Sequence, residues 1–156
     1  MLLRDRLAVV TGAGSATGIG RATARRFAAE GARVALLDLE DTNPADAARA
    51  LGPAHAGYVC DVRDPAACRD TVGRVAADFG GLDIVVGNAG VVFGTPLEEI
   101  DPALYDLVTD VNLRRNFNMA HAAVPLMKRR GGGSIVMISS IAGQVGGGLF
   151  GRSHYA

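Results

Sequence analysis

A buried-strand pattern that leads directly into a glycine-rich loop is the feature that most constrains this chain. The apolar run Leu7-Ala8-Val9-Val10 is followed by Thr11-Gly12-Ala13-Gly14-Ser15-Ala16-Thr17-Gly18-Ile19-Gly20, then by an Ala- and Arg-rich stretch. Glycines at such a turn let the backbone approach a pyrophosphate, and the N-terminus of the following helix offers N–H donors with partial positive charge. The loop taken alone is equally typical of an ordinary tight turn between a strand and a helix.

The residue that favours nucleotide binding over an ordinary turn is Asp38. It ends the second strand pattern, 18 residues after Gly20, near the spacing expected for a carboxylate that accepts hydrogen bonds from the hydroxyls of an adenosine ribose. A carboxylate there repels a 2′-phosphate, so the prediction is NAD rather than NADP. A phosphate loop of the kinase or ATPase type is disfavoured, because no Gly-Lys-Ser/Thr follows.

The composition predicts one globular domain over residues 1–156. Of the 156 residues 49% are hydrophobic, and 16 basic residues balance 16 acidic ones, so nothing favours nucleic acid or an anionic membrane as a partner. Two cysteines and three histidines lack metal-ligand spacing, which predicts no metal site. No apolar segment approaches the length of a membrane span, and we expect a soluble, cytoplasmic protein with free thiols.

Strand and helix patterns alternate along the chain, which predicts an α/β fold: a Rossmann-like, doubly wound parallel sheet with strand order 3-2-1-4-5. The predicted strands are Leu7–Thr11, Arg33–Asp38, Gly57–Cys60, Leu82–Val86 and Ser134–Ile138, the last apolar enough for burial on both faces. The predicted helices run from Gly18 to Glu30, over Pro44–Leu51, from Asp64-Pro65 to Gly80-Gly81, and from Asp101-Pro102 toward Arg130. In the last of these, an apolar stripe is predicted to face the core, with a kink or break at Pro125; its members are Leu113, Phe117, Ala120, Val124 and Met127.

The carboxyl ends of parallel strands meet at one edge of a sheet, and a ligand crevice opens there between strands one and four. The strand tips in this chain are glycine or polar, and they are Gly12, Asp38, Asp61, Asn88 and Ser140. We therefore expect these five positions to lie around one crevice.

The order of these motifs resembles the short-chain dehydrogenase/reductase family over essentially the whole chain. The residues that carry the resemblance are Thr11-Gly12 through Gly18-Ile19-Gly20, Asp61-Val62, Asn88-Ala89-Gly90, Val111-Asn112-Leu113, Ile138-Ser139-Ser140 and Ser153-His154-Tyr155-Ala156. The resemblance implies hydride transfer between a nicotinamide cofactor and an alcohol or ketone, and it is compatible with a homo-oligomer.

The resemblance also implies roles for individual residues. Tyr155 is the implied general acid/base, Ser140 the donor that holds the substrate oxygen, and Asn112 the residue that positions a helix and a proton-relay water. The implied cofactor-binding set is Gly12, Ser15, Gly18, Ile19, Gly20, Asp38, Asp61, Val62, Asn88, Ala89 and Gly90. Taken singly, Asn112 is more typical of a helix cap or a satisfied buried amide, Ser140 of a strand end and Tyr155 of a half-buried aromatic residue; together, at the family's spacing, they favour the functional roles.

The chain departs from the family pattern at several places. Five residues rather than three separate Gly12 from Gly18, Gly87 stands where the family often has asparagine, and Arg115 stands where glycine is common. Tyr155 falls slightly farther from Ser140 than usual, and the family's lysine, four residues after the tyrosine, would lie beyond Ala156. We therefore expect the cofactor-binding part of such an enzyme, incomplete at its C-terminus, with strand five as an uncovered edge and little turnover as a 156-residue chain. A non-catalytic dinucleotide-binding protein is the alternative, and a glycine-loop methyltransferase is a weaker one.

Overall fold

The protein folds around a parallel sheet, described in a computed structural model over residues 1–145. Its five strands are β1 (Leu7–Thr11), β2 (Arg33–Asp38), β3 (Ala56–Val59), β4 (Ile84–Gly87) and β5 (Ser134–Met137). They lie in the order β3-β2-β1-β4-β5, all in parallel. In this register Val9 of β1 pairs with Ala35 on one side and with Val85 on the other. The predicted fold and strand order are thus confirmed.

Helices cover both faces of the sheet, and this explains the unbroken apolar strands. They are α1 (Ile19–Ala29), α2 (Pro44–Arg49), α3 (Pro65–Phe79), α4 (Pro102–Thr109), α5 (Arg115–Arg129) and α6 (Ala142–Val145). Side chains that alternate along β1 enter two cores: Val9 packs with residues of α3 and α5, and Val10 with Ala24 of α1. All five residues of β1 are buried.

Local signals set most helix boundaries. Asp64 and Asp101 cap α3 and α4 through their side chains, each followed by proline at the first helical position. Gly31 follows α1 with φ +91°, a conformation that glycine adopts without steric cost. Between α4 and α5, residues Asp110–Arg114 form a π-helical segment.

The predicted apolar stripe of α5 is wrong for most of its members. Phe117 is 69% exposed, Leu113 in the preceding segment is 60% exposed, and Val124 also faces outward, whereas Met127 is buried. The buried face is offset around the helix and consists of Arg115, Asn118, Met119, Ala122, Ala123 and Met127. The polar residues Arg115 and Asn118 contact backbone carbonyls on this face. Because they are polar, the pattern of hydrophobic residues alone did not identify the buried face. The helix also continues through Pro125 without a break.

Strand β5 is likewise not buried on both faces. It has one neighbour, β4, within the described sheet, and Val136 is 46% exposed. Within the described residues β5 is therefore an edge strand. Within residues 1–145 no helix combines the length and the apolar character that crossing a membrane requires.

Candidate active site

Two adjoining clefts open at the carboxyl edge of the sheet. The first, of about 530 Å³, lies over β1, β2 and the turn after β3, and it is lined by every predicted cofactor-binding residue except Gly20. The second, of about 440 Å³, lies toward β5 and includes Asn112 and Ser140. The clefts share Ile19, Asn88, Gly90 and Val91, so they form a continuous two-lobed depression.

The glycine loop is packed so closely that side chains are excluded at two of its predicted positions. A Cβ on Gly12, which has φ +64°, would lie 2.7 Å from the Cα of Ala89. A Cβ on Gly20 would lie 2.3 Å from the carbonyl oxygen of Gly12. Gly20 therefore sits beneath the loop and sets its distance from α1, rather than lining the cleft.

The N-terminus of α1 faces the first cleft with its donors uncapped. Gly18 is the N-cap, no side chain caps the helix, and its first turn contains no acidic residue. Ser15, Gly18 and Ile19 line the cleft at this end. An anion placed there would meet free N–H groups and the positive end of the helix dipole.

A polar bridge holds the loops after β1 and β4 together. The Thr11 hydroxyl, which is fully buried, accepts hydrogen bonds from the backbone N–H groups of Asn88 (2.9 Å) and Ala89 (3.0 Å). In return, the Asn88 Nδ2 donates to the carbonyls of Thr11 (2.9 Å) and Gly12 (3.1 Å). Thr11 was predicted as the end of the first strand and as part of the glycine motif, without a role at the site, yet its hydroxyl joins the two loops.

The carboxylate of Asp38 lies at the mouth of the first cleft and contacts the glycine loop. Its Oδ2 accepts from the Gly14 N–H at 2.8 Å, and its Oδ1 accepts from the Leu39 N–H at 2.9 Å. Each oxygen keeps further acceptor capacity. Gly14 was not among the predicted site residues, although its place between Gly12 and Gly18 was a signal; a Cβ there would lie 2.2 Å from the Thr42 Oγ1.

Asp61 and Val62 line the far side of the first cleft, supported by two residues that the sequence analysis missed. The Arg63 guanidinium and backbone N–H bind the Asp61 carboxylate at 3.0 Å, and this pairing lowers the pKa of Asp61 below its usual value. The buried Asn118 of α5 donates from Nδ2 to the carbonyls of Val62 (3.0 Å) and Arg63 (3.2 Å). The turn after β3 is therefore fixed by Arg63 on the surface and by Asn118 in the core.

Asn112 and Ser140 both line the second cleft. The Asn112 side chain makes a two-way bridge to Val91: its Oδ1 accepts from the backbone N–H (2.9 Å) and its Nδ2 donates to the carbonyl (3.0 Å). Ser140 is exposed, and its Oγ accepts from the Ala142 N–H at 3.1 Å; within residues 1–145 the hydroxyl proton has no acceptor. Tyr155, the third predicted catalytic residue, lies outside the described residues.

Comparison with known proteins identifies relatives along the whole chain. A profile of the family described as short chain dehydrogenase matches residues 6–156. A short-chain type dehydrogenase/reductase of Sinorhizobium fredii is 41% identical over 100% of this chain and 63% of its own length. D-threitol dehydrogenase of Mycolicibacterium smegmatis is 40% identical over 92% of this chain and 55% of its own length. The mouse (3R)-3-hydroxyacyl-CoA dehydrogenase is 40% identical over 99% of this chain and 62% of its own length.

Solved structures agree with these sequence relatives. The crystal structure of a short-chain dehydrogenase/reductase from Burkholderia xenovorans superposes with a TM-score of 0.86 at 34% identity, covering 99% of this chain and 63% of that one. The chain thus spans about three fifths of the length of the relatives it matches. With the family profile matched from residue 6 onward and the same fold in its structural neighbours, this chain belongs to the short-chain dehydrogenase/reductase family.

Proposed function

We propose that this chain binds NAD and forms the cofactor-binding part of an oxidoreductase that interconverts an alcohol and a carbonyl compound. The observation that carries the proposal is Asp38: a carboxylate at the end of β2, at the mouth of the first cleft, hydrogen-bonded to the glycine loop. A ribose with two free hydroxyls satisfies its remaining acceptors. A 2′-phosphate would add a second negative charge against it.

The remainder of the first cleft fits the other parts of a dinucleotide. The uncapped N-terminus of α1 suits the pyrophosphate, because it offers backbone donors and no competing carboxylate. Asp61 and Val62 supply a polar and an apolar contact on the side where an adenine would lie. The shared wall at Asn88 and Gly90 then leads into the second cleft, where a nicotinamide would accept or supply the hydride.

The second cleft provides the groups for the oxygen of the substrate. Oxidation of an alcohol removes a hydride from carbon and a proton from oxygen, so the oxygen needs a hydrogen-bond partner and a base. We assign the first role to Ser140, whose hydroxyl proton is free, and the second to Tyr155. Asn112 positions the cleft wall through its bridge to Val91, and this agrees with a supporting role rather than a direct one.

A titration with NADH and NADPH, followed by nicotinamide fluorescence, tests the assignment of Asp38. We expect NADH to bind more tightly than NADPH to the wild-type chain. Asp38→Asn keeps the shape of the side chain and an oxygen that can accept from the Gly14 N–H, but it removes the charge. It should therefore weaken NADH binding by roughly 10- to 100-fold and reduce the preference for NADH over NADPH. Asp41→Asn is the matched control, since Asp41 is an exposed acid three residues farther along the same segment.

The possible results separate the competing functions. Tighter binding of NADPH, or equal effects of the two substitutions, would contradict the assignment of NAD through Asp38. Binding of S-adenosylmethionine without NADH would indicate a methyltransferase instead. Binding of NADH by an intact protein that oxidises no alcohol and reduces no ketone would favour the non-catalytic dinucleotide-binding alternative.

A further inference from the structure

The second cleft contains a buried arginine that has no counter-charge among the described residues. Arg115 begins α5 and is 3% exposed. Among residues 1–145 its Nε and Nη1 have no hydrogen-bond partner, and its Nη2 reaches only the carbonyl of Ile138, at 3.5 Å. No carboxylate of the described residues forms an ion pair with it. Burial alone lowers the pKa of this guanidinium, with no acidic neighbour to offset that effect.

An unpaired buried charge is costly, so its location is informative. Arg115 lines the second cleft together with Asn112 and Ser140. Of the described residues around this cleft, it is the one that carries a charge; the others are apolar, glycine, asparagine or serine. An anionic group that enters the cleft therefore meets one uncompensated positive charge and no negative one.

The space for this arginine depends on a second unusual residue. Gly87 ends β4 directly opposite α5, and a Cβ on it would lie 3.2 Å from the Arg115 Nη1, 2.8 Å from the Asn116 Oδ1 and 2.6 Å from the Met137 Sδ. Gly87 and Arg115, two of the positions at which the sequence departs from the family pattern, thus lie next to each other. The absence of a side chain at one position accommodates the guanidinium of the other.

We propose that Arg115 is a specificity-determining residue that makes the second cleft favour substrates with a carboxylate near the reacting hydroxyl or carbonyl. This inference rests on the proposed function, because it takes the second cleft as the substrate site. A guanidinium presents several N–H donors in a planar fork that matches the two oxygens of a carboxylate. The free energy lost by burying Arg115 unpaired is recovered when an anion compensates its charge.

The test compares two probes with the same carbon skeleton, 3-hydroxybutyrate and butane-1,3-diol, which differ in the carboxylate. Binding to the full chain is measured by NMR titration, with and without saturating NADH. We expect the acid to bind at least about tenfold more tightly than the diol. Arg115→Met, which keeps an unbranched apolar stem, should abolish this difference, whereas Arg115→Lys should retain part of it. Arg114→Met is the matched control, because Arg114 is the exposed neighbour paired with Asp110.

Two further measurements do not require the affinity of a variant for the acid: an NMR resonance of the wild-type chain and a melting temperature without ligand. In the wild-type chain, the Arg115 Nε–H resonance, identified by its loss in Arg115→Lys, should shift with the acid and not with the diol. Without any ligand, Arg115→Met should melt at a higher temperature than the wild type, because removal of an unpaired buried charge relieves its desolvation cost. A purely structural arginine would give the opposite change.

The outcomes distinguish this inference from the proposed function. Failure of NADH to bind would contradict the proposed function, and it is measured separately. Equal affinities for acid and diol, no saturable binding of the acid, or an acid affinity unchanged in Arg115→Met would each overturn the role of Arg115, even where NADH binds. If Arg115→Met is less stable or does not fold, Arg115 has a structural role, and an Nε–H resonance of the wild type that does not respond to the acid would then overturn the proposal.

Discussion

Single side chains at this site act mainly by holding loops, and Asn112 is the clearest case. Its amide exchanges two hydrogen bonds with the backbone of Val91, which belongs to both clefts. It lies in the π-helical segment between α4 and α5, a local widening of the helix that is often found at functional sites. The loop after β4 therefore takes its position from a residue 21 positions later in the chain.

Replacement of Asn112 by alanine should lower both stability and cofactor affinity. It leaves the N–H and C=O of Val91 without their partner, and such a loss costs about 1–3 kcal/mol when the groups stay dry. Asn116→Ala is the control, since its side chain makes one long bond of 3.4 Å and its Oδ1 is already unpartnered. Urea unfolding and NADH titration measure the two effects. Equal losses in both variants would show that the bridge to Val91 does not position the loop.

At the scale of elements, α5 connects the core to the site. Its inner face contacts α3 through Met119 and Met127, supports the turn after β3 through Asn118, and brings Arg115 under the second cleft. Its outer face exposes Phe117, which stacks on His121 with ring centroids 5.6 Å apart. The helix thus positions both clefts from one side, although it contributes few residues that line them.

A pair of substitutions two residues apart, on different faces of the helix, tests this orientation of α5. Met119→Ala should lower the free energy of unfolding by about 2–5 kcal/mol, because Met119 is fully buried and its removal leaves a cavity. Phe117→Ala should change it by no more than about 0.5 kcal/mol, because the ring is largely exposed. Midpoints of urea unfolding, measured with constant m-values, provide the comparison. A larger loss from Phe117→Ala would mean that the stripe predicted from the sequence faces the core after all.

At the scale of the whole molecule, the chain crosses from one half of the sheet to the other between β3 and β4, and the crevice opens where the strand order reverses. The stability of the first half includes one titratable contact. The backbone N–H of Val34 donates to the His55 Nδ1 at 3.1 Å, immediately before the pairing of β2 with β3 begins. Burial of the ring, with a smaller contribution from the positive charge of Arg33, lowers the pKa of His55 below its ordinary value.

The lowered pKa of His55 predicts that the free energy of unfolding decreases in acid. Above about pH 6.5, the ordinary pKa of histidine, the ring is neutral in both states and its contribution to stability is complete. As the pH falls from there through the lower folded-state pKa, the unfolded chain binds the proton first, so the free energy of unfolding decreases. Between about pH 7 and about pH 5, the melting temperature should therefore decline less steeply for His55→Gln than for the wild type. His121→Gln, at an exposed histidine, should leave the decline unchanged; identical slopes in all three proteins would contradict the assignment to His55.

What the sequence alone determined was the part of the structure that short stretches encode. The glycine loop, the proline-started helices capped by Asp64 and Asp101, and the alternation of strands and helices depend on residues within a few positions of one another, and the handedness of crossovers restricts the strand order. The same signals predicted that Gly12, Asp38, Asp61, Asn88 and Ser140 lie at one edge of the sheet, and the structure places all five around the two clefts.

The tertiary structure alone decided the contacts between distant residues. Gly14 meets Asp38 across 24 positions, Thr11 meets Asn88 across 77, and Arg115 lies against Gly87 because α5 crosses β4 there. The buried face of α5 was mispredicted for the same reason: Asn118 turns inward to the carbonyls of Val62 and Arg63, and Arg115 occupies the space beside Gly87. Such partners are supplied by packing, and no local pattern of hydrophobicity encodes them.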